Sequence, residues 1–378
     1  MQKTLVTLLS LASLTACSQL PKSEQKTQTL VQSQQEYQEP KLIIIGHRGA
    51  SALRPEHTLA SYQKAIEDGA DFIEPDLVPT KDGYLIARHE NDITGTTNVS
   101  ELAQFKDRKT TKIIDGESHT GWFTEDFTLS EIKQLKARER IPEIRAQNTQ
   151  FNDQYEIPTL EEIIALAQKH YEQTGKIVGL YIETKHPTYF QNANLALEDR
   201  LLNTLAQHEY TRDIAPIYLQ SFEVSNLKYM HDQLHQNPTL KHAQLIQLYS
   251  EMDEAPADFI AKNINKTYAD LATPEGLKQV ASYAQGIGPS KNYIIDQSGT
   301  ATHFVQDAHA QHLKIHPYSL RPENKFLIKS VRCNDVAKER CESGALKEYQ
   351  LFFEAGVDGL FTDDPGLGRQ AATKFLAK

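Results

Sequence analysis

Eight short apolar runs recur along this chain, most of them followed by an amphipathic helical pattern, and this alternation constrains the fold more than any other feature. The runs are residues 42–45, 71–74, 178–182, 217–219, 245–248, 286–288, 313–316 and 359–361. Strands separated by helices pair in parallel, because each crossover returns the chain in the same direction. Eight such units imply an α/β fold of the (β/α)8, or TIM-barrel, type. An open doubly wound sheet is the competing arrangement, but no G-x-G-x-x-G follows the first run.

The helical segments carry end signals. Thr58 caps residues 59–68 with Gly69 just beyond, and Thr159 with Glu162 makes a capping box for residues 160–171. Further helices are expected at 192–207, 224–234, 274–284, 302–311 and 346–355. Two stretches do not fit a plain barrel. Residues 95–156, polar and with one short helical piece at 129–136 and a lone Trp122, read as an insertion over the barrel mouth between the second and third barrel strands. Residues 321–347 have no apolar periodicity and contain Cys333 and Cys341.

The N-terminus reads as a targeting segment. Residues 1–16 join Lys3 to an apolar run at 4–14 that is too short to span a bilayer, so a signal peptide is expected and not an anchor helix. Leu14-Thr15-Ala16-Cys17 resembles the bacterial lipobox, which would place a lipid on Cys17. Ser18 after it points, by analogy, to the outer membrane, so the chain is expected on the periplasmic side of the envelope, held to the membrane by its lipid anchor only. Residues 17–40, rich in Gln, Ser, Lys and Glu, are expected to be a flexible tether, with the folded domain at 41–378. Removal of the leader and acylation of Cys17 leave Cys333 and Cys341 free to pair, and in an exported chain they suggest one disulfide pinning the late loop. Zinc is disfavoured, since no Cys/His cluster lies beside them.

Charge narrows the partners. Against 50 acidic residues stand 40 Lys and Arg, a net charge of −10, and no basic stripe is interleaved with aromatics. Nucleic acid is therefore not an expected partner, whereas a small molecule in the barrel mouth is.

In such a barrel the reactive groups lie at the C-terminal ends of the strands. Those ends carry Gly46-His47-Arg48-Gly49, Glu74-Pro75-Asp76, Glu183-Thr184-Lys185, Gln220-Ser221, His316-Pro317-Tyr318 and Thr362-Asp363. Glu74 and Asp76, two apart in an extended segment, point the same way, and Glu183 arrives from the next barrel strand. Three carboxylates with no softer ligand make an all-oxygen site suited to Mg²⁺ or Ca²⁺. Lys81-Asp82-Gly83 is a hairpin turn signal, and folding back about Asp82 sets position 89 opposite 74–76, which returns His89 to the carboxylates. Arg48 offers a fork for an anion and Lys185 a point charge. A metal, two cations and two histidines around one point describe acid–base chemistry on an anionic phosphoester. His57, His186, His303, His309 and His312 are read as ordinary structural or surface residues.

The motifs His47-Arg48-Gly49-Ala50-Ser51, Pro55-Glu56-His57-Thr58, Glu74-Pro75-Asp76, Thr80-Lys81-Asp82-Gly83, Glu183-Thr184-Lys185, His316-Pro317-Tyr318 and Gly359-Leu360-Phe361-Thr362-Asp363, in this order, resemble the bacterial glycerophosphodiester phosphodiesterases of the periplasmic kind. That resemblance implies a (β/α)8 barrel that binds a divalent cation and hydrolyses glycerophosphodiesters to glycerol 3-phosphate and an alcohol. It implies Glu74, Asp76 and Glu183 as metal ligands, His47 and His89 as the acid–base pair, and Arg48 and Lys185 as phosphate holders. Gln220 and His316 are expected to touch substrate. Glu90 follows His89 where many members have Asp, and His57 stands where many have Asn. Competing expectations are a phospholipase-D-like or phosphatidylinositol-cleaving barrel, and a non-catalytic surface-binding lipoprotein.

Overall fold

The computed structural model describes residues 37–378. Residues 1–36, with the expected leader, Cys17 and most of the expected tether, lie outside the described residues. Twelve strands are described: β1 (Ile43–His47), β2 (Phe72–Glu74), β3 (Asp76–Pro79), β4 (Leu85–Ala87), β5 (Thr110–Ile114), β6 (Glu117–Gly121), β7 (Gly179–Thr184), β8 (Ile217–Ser221), β9 (Gln244–Tyr249), β10 (Gly286–Pro289), β11 (Lys314–Ile315) and β12 (Gly359–Thr362). Eight of them form the barrel staves in the order β11-β10-β9-β8-β7-β2-β1-β12, all parallel. The seam closes where Asp358 N–H donates to Ile315 O at 3.1 Å and Phe361 N–H to Pro317 O at 3.0 Å. Each of the eight expected runs contributes one stave.

The second stave is double. At Pro75 it breaks into β2, which pairs with β1 and β7, and β3, which continues alongside β7 with Asp76 opposite Glu183. β3 then turns back into β4 with Leu77 opposite Ala87 and Val78 opposite Ile86, the register that centring the turn on Asp82 predicts.

Helices Leu59–Glu67, Leu160–Thr174, Glu198–Gln207, Val224–Gln236, Pro274–Val280, Phe304–Ala310, Glu342–Ala355 and Pro365–Leu376 surround the staves. Thr58 Oγ1 accepts from Ser61 N–H at 3.1 Å, and Thr159 with Glu162 closes a full capping box, so both predicted starts hold. The expected helix at 192–207 starts late, at Glu198, and ends at Gln207; a separate helix, Pro187–Asn192, precedes it, with Asn194 in a left-handed conformation (φ 58°) between them. The final helix, capped by Asp364 with Pro365 at its first position, carries a start signal that the sequence reading left unused.

Inside the staves, alternate residues stack in layers. Ile43, Ile45, Phe72, Tyr181, Tyr218, Ile246 and Phe361 fill the barrel, with ring centroids 4.8 Å apart for Tyr181–Tyr218 and Tyr181–Phe361. The expected tether ends sooner than residue 40. Tyr37 packs edge-on against Phe72 and Glu39 accepts from Tyr218 Oη and Lys314 Nζ, so residues 37–39 belong to the folded domain. An aromatic ring and a carboxylate at the open N-terminal end of the barrel bury what a solvated tether would leave exposed.

The segment 95–156 has more structure than its polarity suggests. It holds the β5–β6 hairpin and buries Phe105, Trp122, Phe127, Ile132 and Leu135 as part of the main apolar core, with Trp122 Nε1–H donating to Phe105 O at 2.7 Å. Its expected helix at 129–136 is shorter, Leu129–Ile132. In the late loop Cys333 and Cys341 are joined, their Cα atoms 5.8 Å apart.

Candidate active site

The layering that packs the barrel also builds its mouth. One inward position above Phe72 comes Glu74; above Tyr181, Glu183; above Tyr218, Gln220; above Ile45, His47. Register sets Glu74 beside His47 and Asp76 beside Glu183. A cavity of about 400 Å³ opens there, lined by His47, Arg48, Glu74, Asp76, His89, Glu183, Lys185 and Gln220. Of the residues assigned to the site from sequence, the structure brings these eight together.

Glu74, Asp76 and Glu183 are nearly fully buried, and each offers an oxygen within 4.8 Å of the others. Burial, with the charges of Asp76 and Glu183 beside it, pushes Glu74 well above the usual carboxylate range. Burial, opposed by Lys185 and assisted by Asp76, pushes Glu183 up to about 8. Asp76 goes the other way, since Lys185 and His57 outweigh its burial and hold it well below the usual range. Arg48 N–H donates to Glu74 Oε2 at 2.7 Å, Gln220 Nε2 to Glu74 Oε1 at 3.2 Å, and Lys185 Nζ lies 2.6 Å from Glu183 Oε1. Asp76 Oδ1 and Gln220 Oε1 are buried without a hydrogen-bond partner. Mutually repelling buried carboxylates with an unpartnered oxygen lack one positive charge, and hard oxygen donors in this number fit a divalent cation.

The turn after β1 presents the cation. Arg48 (φ 56°) and Gly49 (φ 87°) are both left-handed, and a Cβ on Gly49 would run into Ser61. That turn aims the Arg48 backbone at Glu74 while its guanidinium reaches Glu56 at 3.0 Å and leaves Nε unbonded, 3.4 Å from Asp76 Oδ2.

Both histidines are tethered through Nδ1. His47 Nδ1 donates to Asp363 Oδ1 at 2.6 Å, and His89 Nδ1 donates to Glu90 Oε1. Burial alone would raise Asp363, but Arg321, Arg145 and His47 hold it well below the usual range; likewise His89 and Arg140 hold Glu90 low. An ionised carboxylate only accepts, so Nδ1 carries the proton and each neutral ring turns the lone pair of Nε2 outward. Burial draws His47 down to about 4, and enclosure with the charges of Arg48 and Lys185 draws His89 down to about 3. Both rings are held in the neutral form, with Nε2 unprotonated.

His316 is a correction. It is fully buried, 2.9 Å from Tyr181 Oη, and packs on Tyr181 and Tyr218 below the mouth. The inward rung that reaches the cavity from this stave is Tyr318, two residues on.

The sequence reading also passed over contributors. His57, read as ordinary, donates Nε2–H to Asp76 Oδ2 at 2.8 Å and accepts at Nδ1 from Tyr62 Oη at 2.7 Å, fixing a cluster carboxylate. Lys291 and Arg321 line the cavity; Lys291 lies two residues past the β10 end, after Ser290, within reach of the strand-end rule. Arg145, from the insertion, donates to Asp363 Oδ2 at 2.5 Å and to Glu323, and Arg140 grips Glu56 and Glu90. No sequence signal marks those two.

Comparison with known proteins adds lineage. The glycerophosphoryl diester phosphodiesterase family matches residues 47–367 of this chain. A glycerophosphodiester phosphodiesterase of Arabidopsis thaliana is 33% identical over 346 residues, covering 85% of this chain and 83% of that protein. Among crystal structures, one from Silicibacter pomeroyi aligns with a TM-score of 0.61 at 18% identity over 89% of this chain and 95% of that one. An Oleispira antarctica phosphodiesterase in complex with the product sn-glycerol-3-phosphate aligns with a TM-score of 0.53 at 20% identity over 88% and 96%. At those identities the structural likeness is one of fold.

Proposed function

This chain belongs to the glycerophosphoryl diester phosphodiesterase family, and we propose that its site hydrolyses glycerophosphodiesters, such as glycerophosphocholine or glycerophosphoethanolamine, to sn-glycerol 3-phosphate and an alcohol. The observation that carries this reading is the pair of histidines, each tethered by Nδ1 to an ionised carboxylate, in one cavity with the carboxylate cluster, Arg48 and Lys185.

Arg48 and Lys185 hold the anionic phosphate, the first through its unbonded Nε, the second as a point charge. One neutral imidazole accepts, at Nε2, the proton of a glycerol hydroxyl as that oxygen attacks phosphorus. The other, protonated once the anionic substrate is beside it, gives its proton to the departing alkoxide oxygen as the phosphorus–oxygen bond breaks. The resulting cyclic glycerol phosphate is opened by water with the proton transfers reversed. Glu74, Asp76 and Glu183 are the residues to hold Mg²⁺ or Ca²⁺, which when bound supplies positive charge to the phosphate and lowers the pKa of a nearby hydroxyl. The test is release of sn-glycerol 3-phosphate from glycerophosphocholine by purified protein, with and without chelator. No release under any cation supply would overturn the proposal.

The same reading places the enzyme on the periplasmic side of the envelope as a lipoprotein, supported by Leu14-Thr15-Ala16-Cys17. Cys17→Ser is expected to shift the protein from the membrane to the soluble fraction or leave it unprocessed. Intact-mass measurement decides: a wild-type chain retaining residues before Cys17, without lipid, would refute the assignment.

A further inference from the structure

Arg140 lies on the insertion, outside the barrel, yet it touches both halves of the site. Its Nε and Nη2 donate to Glu56 Oε2 and Oε1 at 2.9 and 2.6 Å, and its Nη1 and Nη2 donate to Glu90 Oε1 and Oε2 at 3.0 and 2.6 Å. Glu56 in turn accepts from Arg48 Nη1 at 3.0 Å, and Glu90 accepts from His89 Nδ1. One guanidinium thus completes the chain Arg48, Glu56, Arg140, Glu90, His89, which runs from a cation at the phosphate position to an acid–base ring.

The two carboxylates share a side chain because a planar guanidinium presents N–H donors on two edges, and each edge matches both oxygens of a carboxylate. Glu56 is buried and Glu90 has about a third of its side chain exposed. Without Arg140, Glu56 would have Arg48 as its remaining cationic partner and would draw that guanidinium away from the cavity. Glu90 would lose the contact that fixes its rotamer, and with it the ring orientation and tautomer of His89.

We propose that Arg140 is a positioning residue that couples the orientation of His89 to that of Arg48, so that the proton-transferring ring and the phosphate cation are set by one side chain from the insertion. The inference rests on the functional reading above. It assigns the insertion a role in assembling the site.

The experiment is steady-state kinetics on glycerophosphocholine for wild type, Arg140→Ala, Arg140→Lys and Glu90→Gln, the Arg140→Ala/Glu90→Gln double variant, and Arg138→Ala as a control. Arg138 sits two residues away and pairs with Glu101 and Asp153 at the surface. Arg140→Ala is expected to lower kcat by about tenfold to a hundredfold and to raise KM, since small misplacements of reacting groups cost that much. Ethylguanidinium in the assay should restore part of the lost kcat in a saturable manner, which a merely structural defect would not allow. In the Glu90→Gln background, Arg140→Ala should cost little further kcat while still raising KM through Glu56. Arg138→Ala should stay within about twofold of wild type. If Arg140→Ala does not fold, Arg140→Lys decides, because lysine keeps the charge but not the fork: reduced kcat at an unchanged melting temperature supports the coupling. Wild-type kinetics in either folded variant, or a loss that is fully multiplicative with Glu90→Gln and unmoved by ethylguanidinium, overturns it. A wild-type protein inactive on every glycerophosphodiester would instead overturn the functional reading.

Discussion

Replacing His47 or His89 by alanine lowers kcat by about 10²-fold or more in each case, because a positioned acid or base contributes about 10²–10⁴. The two effects do not multiply. Attack and departure share one proton economy, so the double variant should be little worse than the poorer single one. Arg48→Ala behaves differently and raises KM as well, since its guanidinium meets the phosphate before any bond changes. Asp363 and Glu90 are separate partners for the two Nδ1–H groups, so each ring's tautomer is set by its own carboxylate. Measuring kcat and KM for the three single variants and the double variant on one glycerophosphodiester checks all of this. A histidine whose loss leaves kcat intact is not part of the relay.

On the proposed reading, chelation should abolish turnover, and Glu183→Gln should lower it by about 10²-fold or more at cation concentrations that saturate wild type, since charge stabilisation worth several kcal/mol is removed. Stability should move the opposite way. Without a cation, burial first and the neighbouring carboxylates second penalise the charged forms of Glu74 and Glu183 and raise both, so neutralising one relieves strain in the folded state. Glu183→Gln should therefore melt at or above the cation-free wild type, while wild type alone gains melting temperature on adding Mg²⁺ or Ca²⁺. Differential scanning calorimetry with and without cation reads both. Full activity in excess chelator, or a cation-induced shift that survives Glu183→Gln, would sink the assignment.

Signals carried by neighbouring residues are the legible ones. A strand alternates every two residues and a helix returns every 3.6, so the eight staves, both capping threonines and the turn about Asp82 are written in neighbouring residues. Because the same alternation carries a stave from core to mouth, the sequence alone groups Glu74, Asp76 and Glu183, and counting from the turn brings His89 to them. Where a stave sits along the barrel axis is another matter. The stagger of neighbouring strands decides it, and no residue within the strand reports it. That is why His316 was expected at the cavity and lies one layer below it, with Tyr318 in its place.

The arginines mark the other boundary. Arg145 lies 218 positions from Asp363, and Arg140 lies 84 from Glu56 and 50 from Glu90. Tyr218 lies 179 positions from Glu39, which closes the far end of the barrel. Pairings at such separations depend on the path of long polar segments, which has no period to read, and a charged residue destined for a buried fork looks in sequence like any solvated one. The chain's local geometry determined its barrel and the residue types at its mouth; only the folded insertion decided which cations hold the two histidines in place.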